Sequence, residues 1–293
     1  MTTWFVSIIV GHGVVAIALA FLGLRRRGAV VLGAAPLAAM LLWVITALRT
    51  GSAVDGRALV ADLEWLPALG VSLTLRIDAL SLIFLSLIAG VGLAIVAFSG
   101  SYMKRIEFPG RFLALLVLFA AAMSGLVAVD NVFGLFVFWE LTTVTSYLLI
   151  GFNDRKGSAR AAAFQALLTT GLGGLALLGG LVLLSQAAGT TSLAEIVAAP
   201  PTGGAVTVAL GLVLLGVFTK SAQAPFHFWL PGAMAAPTPV SAYLHSATMV
   251  KAGIFLLIRL APGFAGDPLW VPVVVTVGLV TMVVGAWRAL RQT

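Results

Sequence analysis

Five ionisable residues stand out in stretches that are mostly apolar: Glu140 within FGLFVFWELTTVTSYLLIGF, and Lys220, His227, His245 and Lys251 within TKSAQAPFHFWLPGAMAAPTPVSAYLHSATMVKAGIFLLIRL, which ends on Arg259 and Leu260. A hydrocarbon environment tolerates such groups poorly. On insertion scales a lysine at the centre of a membrane helix costs about 2.5–3.5 kcal/mol, so an ionisable residue there is by default a transport or relay group. The chemistry fits proton transfer: a buried lysine can release its proton, and histidine titrates near neutral pH unaided. Spacing adds direction. Thr143 and Tyr147 follow Glu140 at i+3 and i+7, and Ser241 with His245, and Thr248 with Lys251, recur at four and three, so each set lies on one helical face.

These residues need elements that can hold them at membrane depth. The 293 residues are 61% hydrophobic and 9% charged, with a mean hydropathy of +1.12, far from soluble domains. Apolar runs of about 20 residues suit membrane-spanning α-helices, whereas a transmembrane β-barrel alternates over shorter segments. The expected fold class is therefore all-α, a polytopic bundle of nine spans. They run at about 1–24, 29–48 with Pro36 as a kink, 77–99, 112–129, 132–152, 161–186 and 270–287, with spans seven and eight inside 205–260 and span seven entering at about Ala205. Pro225 predicts that span seven breaks just after Lys220, and broken backbone at membrane depth needs protein or water around it. Counting from Val132 puts Glu140 about 12 Å into a roughly 30 Å core, near its middle.

Between the spans, 49–76 reads as an extramembrane loop carrying Asp55, Asp62 and Glu64, and its end, GVSLTLRID, alternates like a strand of a hairpin. Asp130 and Asn131 leave spans four and five as an antiparallel hairpin, and 192–204 has room for a short surface helix. Gly171, Gly173, Gly174, Gly179 and Gly180 in span six read as close helix packing. Arg25, Arg26 and Arg27 form a basic turn. With Lys104, Arg105, Arg111, Arg155, Lys156, Arg160, Arg288 and Arg291 they fall on one side. Only Arg49, Arg57, Arg76 and Arg259 fall on the other. That excess marks the cytoplasmic side and places the N-terminus outside and the C-terminus inside. The first span has no basic segment before it and reads as a retained helix.

Several functions are excluded or set aside. With no cysteine, the chain has no disulfide, thiolate metal site or cysteine-held iron–sulfur cluster. Its net charge of +7 is dispersed between spans, not gathered into a stripe for nucleic acid. His12 reads as hydrogen-bonded packing, and His12 and His245 give no sign of facing each other as haem ligands. Glu140 has a bland alternative, a structural salt bridge. His227 has two readings of equal weight, uptake of protons at the cytoplasmic side or capping of the broken backbone.

At FWELTTVTSYLLIGF and KSAQAPFHFWLPGAMAAPTPVSAYLHSATMVKAGIFLLIRLAP, with RIDALSL at the head of span three, the sequence resembles the Mrp (Mnh) multisubunit sodium/proton antiporters, specifically their large A-type subunit. The same superfamily holds the antiporter-like subunits of respiratory NADH:quinone oxidoreductase, of the L type. The resemblance implies a membrane protein that exchanges Na⁺ or another monovalent cation for H⁺, in a bacterial plasma membrane, beside other antiporter subunits and without cofactor or metal. It implies that Glu140 is the glutamate of span five and Lys220 the lysine of the broken span seven, a pair whose separation controls the lysine's proton affinity. His245 and Lys251 match the relay of span eight. It also implies a division into 1–76, 77–111, an antiporter core repeat of five helices at 112–261, and the start of a second repeat at 262–293. The family's module continues into further helices, so the expectation is an N-terminal part. The alternative is a proton-translocating component of a respiratory oxidoreductase, which would make the chain part of a translocase.

Overall fold

The computed structural model of the chain describes residues 1–54, 56–66, 71–102 and 108–291, with backbone alone at 63–66 and 71–72. Asp55, Lys104, Arg105 and the side chain of Glu64, which enter the charge pattern of the sequence, lie outside the described residues.

The apolar runs become helices because a backbone without water must satisfy its own hydrogen bonds. They are α1 (Thr2–Phe21), α2 (Arg26–Arg49), α3 (Ala79–Tyr102), α4 (Pro109–Ala128), α5 (Val132–Ile150), α6 (Gly157–Ala188), α8 (Gly204–Lys220), α11 (Met249–Phe264) and α12 (Trp270–Ala289). Short helices α7 (Leu193–Ala198), α9 (Trp229–Ala233) and α10 (Thr238–Ser241) lie between them. Among the described residues eight segments are long and apolar enough to span a membrane, counting 238–264 as one, and the 17-residue α8 completes the expected order of nine. Two of the shifted boundaries bear on the basic residues. Arg26 and Arg27 belong to α2, so the basic turn is shorter, and α6 begins four residues early, at Gly157.

The axis of the bundle is α4. It has 83% of its apolar window buried, against 6% for α12 at the edge. α1, α2, α3 and α5 pack on α4, and α6 packs on α5 and α8. The α6–α8 contact is made close by glycine: a Cβ on Gly180 would stand 2.6 Å from the Ala209 carbonyl oxygen, and one on Gly216 2.7 Å from that of Gly173. Packing is thus the role of Gly173, Gly174 and Gly180, while Gly171 faces open space.

The outer loop does form a hairpin. β1 (Leu59–Leu66) pairs antiparallel with β2 (Val71–Ile77), with Asp62 opposite Thr74. Leu75 and Ile77 are buried, as the alternation requires. The hairpin sits over the α4–α5 turn, where the Asp130 amide donates to the Thr74 carbonyl at 2.8 Å. Asn131 caps α5 by accepting from the Phe133 and Gly134 amides. Asp130 accepts from the Ser192 hydroxyl at 2.6 Å and the Ala194 amide at 2.9 Å, tying the same turn to α7. Burial pushes the Asp130 carboxyl above the usual range, and these hydrogen bonds oppose that.

Candidate functional site

Span seven breaks where expected. α8 ends at Lys220, and Pro225 shows why: it has no N–H for the Ser221 carbonyl, and its ring would strike that carbonyl in a continuous helix. Ala222 takes a left-handed φ of 50°, and the chain re-enters a tight turn at Phe226–Phe228 before α9. Span eight is broken as well, which the spacing of Ser241, His245, Thr248 and Lys251 did not anticipate. Between α10 and α11, residues Ala242–Ala247 wind as a π-helix, and Thr248 leaves helical geometry. The wider turn frees the Tyr243 carbonyl, and the Thr248 hydroxyl takes it at 2.7 Å. The single hydrophilic face expected of a continuous helix is therefore interrupted at His245.

Lys220 lies at the centre of the site, with its side chain fully buried. Its ammonium donates to the Trp139 carbonyl at 3.0 Å and the Thr143 hydroxyl at 2.7 Å. It also stands 5.1 Å from the centre of the Trp139 ring, within cation–π range. Glu140, the next residue, forms no ion pair with Lys220 among the described residues. Its Oε1 is buried without a hydrogen-bond partner, packed against Gly174 of α6, where a Cβ would come within 2.0 Å. The two charges feel each other, but the ammonium is held on the backbone and hydroxyl of α5 and the carboxylate on the α6 side. A buried polar atom without a partner is uncommon and needs a reason.

Beyond Lys220 the candidate residues separate. The Trp229 indole donates to the Thr219 carbonyl at 3.0 Å, and its ring lies edge-on to His245 with centroids 5.9 Å apart. Both ring nitrogens of His245 are buried without partners, although the Ala233 backbone lies beside the ring. His227 is half-buried with both nitrogens unpartnered, so it does not cap the broken backbone. The side chain of Lys251, half-buried in the first turn of α11, makes no hydrogen bond or ion pair with the described residues. Thus Glu140 and Lys220 share one region without pairing, Trp229 links the Thr219 carbonyl to the His245 ring, and among the described residues no side-chain hydrogen bond joins Lys220 to His245. A groove of about 300 Å³ lined by Leu168, Leu172, Gly173, Leu215, Thr219 and Phe228 approaches the site from the α6–α8 face.

Sequence reasoning missed Trp139, Trp229 and Arg259. Trp229 carried one weak signal, since a buried indole N–H usually seeks a partner, whereas the buried Trp139 indole nitrogen has none and Trp139 acts through its carbonyl and ring. Arg259, which the sequence reading counted only among the outer-side charges, is inside α11 and binds Asp78 at the head of α3. His12 follows the packing reading, its Nδ1 2.8 Å from the Ile8 carbonyl.

Comparisons with known proteins place this geometry among relatives. Residues 129–293 match the family model described as NADH:quinone oxidoreductase/Mrp antiporter, TM. Residues 65–113 match that of NADH-Ubiquinone oxidoreductase (complex I), chain 5 N-terminus. The chain is 43% identical over 273 residues to the A/B subunit of a probable K(+)/H(+) antiporter of Rhizobium meliloti, covering 91% of this chain and 27% of that protein. It is 44% identical over 242 residues to the A1 subunit of a Na(+)/H(+) antiporter of Staphylococcus haemolyticus, covering 82% and 30%. The chain therefore spans less than a third of the length of these relatives. The solved Mrp complex of a Dietzia species superposes with a TM-score of 0.86 at 37% identity, over 96% of this chain and 31% of that one. An archaeal membrane-bound sulfane sulfur reductase shares the fold, with a TM-score of 0.74 at 24% identity over 89% of this chain and 54% of that one.

Proposed function

This chain belongs to the NADH:quinone oxidoreductase/Mrp antiporter family of membrane proteins, and we propose that it forms the ion-translocating part of an A-type antiporter subunit that exchanges Na⁺, or another monovalent cation, for H⁺. The observation that carries this reading is Lys220, fully buried at a helix break beside an unpartnered Glu140 carboxylate oxygen. Structural ion pairs close up, whereas these two groups are held apart on different supports, an arrangement suited to loading and unloading a proton. Glu140 and Lys220 exchange charge at the centre, His245 and Lys251 extend the relay along span eight, and His227 takes up protons where the broken span turns. The named relatives support cation and proton as substrates, the Mrp complex supports work inside a larger assembly, and the apolar spans support a place in a membrane, which we take to be a bacterial plasma membrane. The basic-residue bias supports an external N-terminus.

The match of residues 65–113 to a complex I protein supports one alternative, a proton-translocating component of a respiratory oxidoreductase. Both readings are tested in vesicles containing the whole assembly, by sodium-dependent proton movement without any redox substrate. Exchange that Lys220→Ala abolishes supports the antiporter. Movement that requires a redox substrate supports the alternative, and full exchange in an assembled Lys220→Ala protein refutes the relay.

A further inference from the structure

The Trp139 carbonyl is the acceptor for three side-chain donors at once. Lys220 reaches it at 3.0 Å, the Thr142 hydroxyl at 2.7 Å and the Thr143 hydroxyl at 3.2 Å. A carbonyl oxygen has two lone pairs, so these donors compete. Thr143 differs from Thr142 in one respect: its oxygen also accepts from the Lys220 ammonium, at 2.7 Å. A hydroxyl has one proton and two lone pairs. If the Thr143 proton goes to the carbonyl, its lone pairs point at the ammonium. That polarity favours lysine with its proton on. Thr142, Thr143, Trp139 and Lys220 are all buried, so water does not substitute for either oxygen cheaply.

The geometry points to Thr143 as a positioning residue that parks the charged Lys220 on the Trp139 carbonyl and away from Glu140. This rests on the relay reading under Proposed function and adds a second station to it. One station is the Glu140 carboxylate on the α6 side, and the other is the uncharged pair of oxygens on α5. Among the described residues, the charged group acting on Lys220 is Glu140 of α5. α6 brings Gly173 and Gly174 to this region, α9 brings Trp229 to the Thr219 carbonyl, and α11 brings Gly253 against Val217 and Ser221. None of those groups titrates, and of span eight neither His245 nor Lys251 makes a hydrogen bond to Lys220, while Tyr243 donates to the Ile88 carbonyl and Arg259 pairs with Asp78. The balance between stations is thus set by Glu140 on one side and by the Thr143 and Trp139 oxygens on the other.

The test is the pH profile of sodium-dependent proton movement in vesicles holding the complete assembly. Thr143→Val keeps the shape and removes the oxygen. It is expected to move the alkaline limb of the profile by about one pH unit toward acid, the size of one lost hydrogen bond to a charged group. Thr143→Ser keeps the oxygen and is expected to restore the wild-type limb. Thr142→Val removes a competitor for the carbonyl and is expected to move the limb the other way, by less. An unmoved limb in an assembled Thr143→Val protein overturns the inference, as does an acid shift in Thr142→Val equal to that in Thr143→Val. Should Thr143→Val not assemble, Thr143→Ala removes the same oxygen by trimming and carries the same expectation. Lys220→Ala separates the two levels: exchange that survives it refutes the relay itself, while loss of exchange there with an unmoved limb in Thr143→Val refutes the positioning role alone.

Discussion

Arg259, near the end of α11, grips Asp78 at the head of α3 across 181 residues of chain. One guanidinium nitrogen lies 3.1 Å from Asp78 Oδ1 and 3.0 Å from the Ser81 hydroxyl, and the other pairs with Oδ2. Ser81 in turn donates to the Val127 carbonyl of α4 at 2.7 Å. Three spans are therefore locked at one end by a two-pronged ion pair, while the relay half of span eight begins two turns of helix away at Lys251.

That lock gives a pH dependence with a definite sign. Burial by itself raises the Asp78 pKa, but the hydrogen bond and charge of Arg259 outweigh it and hold the carboxyl below its ordinary value. A group whose folded pKa is depressed stabilises above its unfolded pKa, about 3.9, and that contribution is lost as pH falls through the folded value. The partners are only 15% and 22% exposed, so breaking the pair should cost about 2 kcal/mol at pH 7. Asp78→Asn should lower the thermal midpoint of the solubilised assembly at pH 7 and flatten its decline below pH 4. An unchanged midpoint would show that the pair does not bear on stability.

Two glycines of α6 should separate function from packing. A methyl on Gly174 meets the flexible end of Glu140, which can swing aside, so Gly174→Ala should leave the melting midpoint within a few degrees of wild type and cut exchange several-fold. A methyl on Gly180 meets the rigid Ala209 carbonyl and the Val213 amide, so Gly180→Ala should reduce stability by about 1–3 kcal/mol. Paired melting and transport measurements decide the matter, and equal effects from both variants would contradict the placement of Glu140.

Trp229→Phe tests the link between the two broken spans. It keeps an aromatic ring beside His245 but leaves the Thr219 carbonyl without its indole partner. The expected loss is about 1–2 kcal/mol of stability, with exchange reduced because the segment after Lys220 is less firmly anchored. A variant with wild-type melting and wild-type exchange would remove Trp229 from the site.

Because the chain has no cysteine, single cysteines report topology cleanly. Ser52→Cys and Gly266→Cys should react with an impermeant thiol reagent added outside cells, and Gly157→Cys should not, following the bias of basic residues. Reaction at position 157 in intact cells would invert the orientation.

What the sequence determined by itself is the set of elements and the identity of the charged residues. Apolar length dictates spanning helices because the backbone has no other partner in hydrocarbon. Pro225 dictates the end of α8 because its missing N–H and its ring act on the residues immediately before it. Glu140 and Lys220 stand out because their charge is costly wherever the fold puts them. All of these are local effects, readable from a window of a few residues.

The tertiary structure alone decided the partners. Lys220 is held by a backbone carbonyl 81 residues away, and a carbonyl leaves no mark in the sequence because every residue has one. The Asp78–Arg259 pair needs three spans assembled before its ends meet. The π-helix at Ala242–Ala247 reflects a choice between two windings that differ by a single hydrogen-bond register. There the local preference is weak, and contacts such as the Tyr243 hydroxyl on the Ile88 carbonyl of α3, which Gly92 leaves room for, settle it.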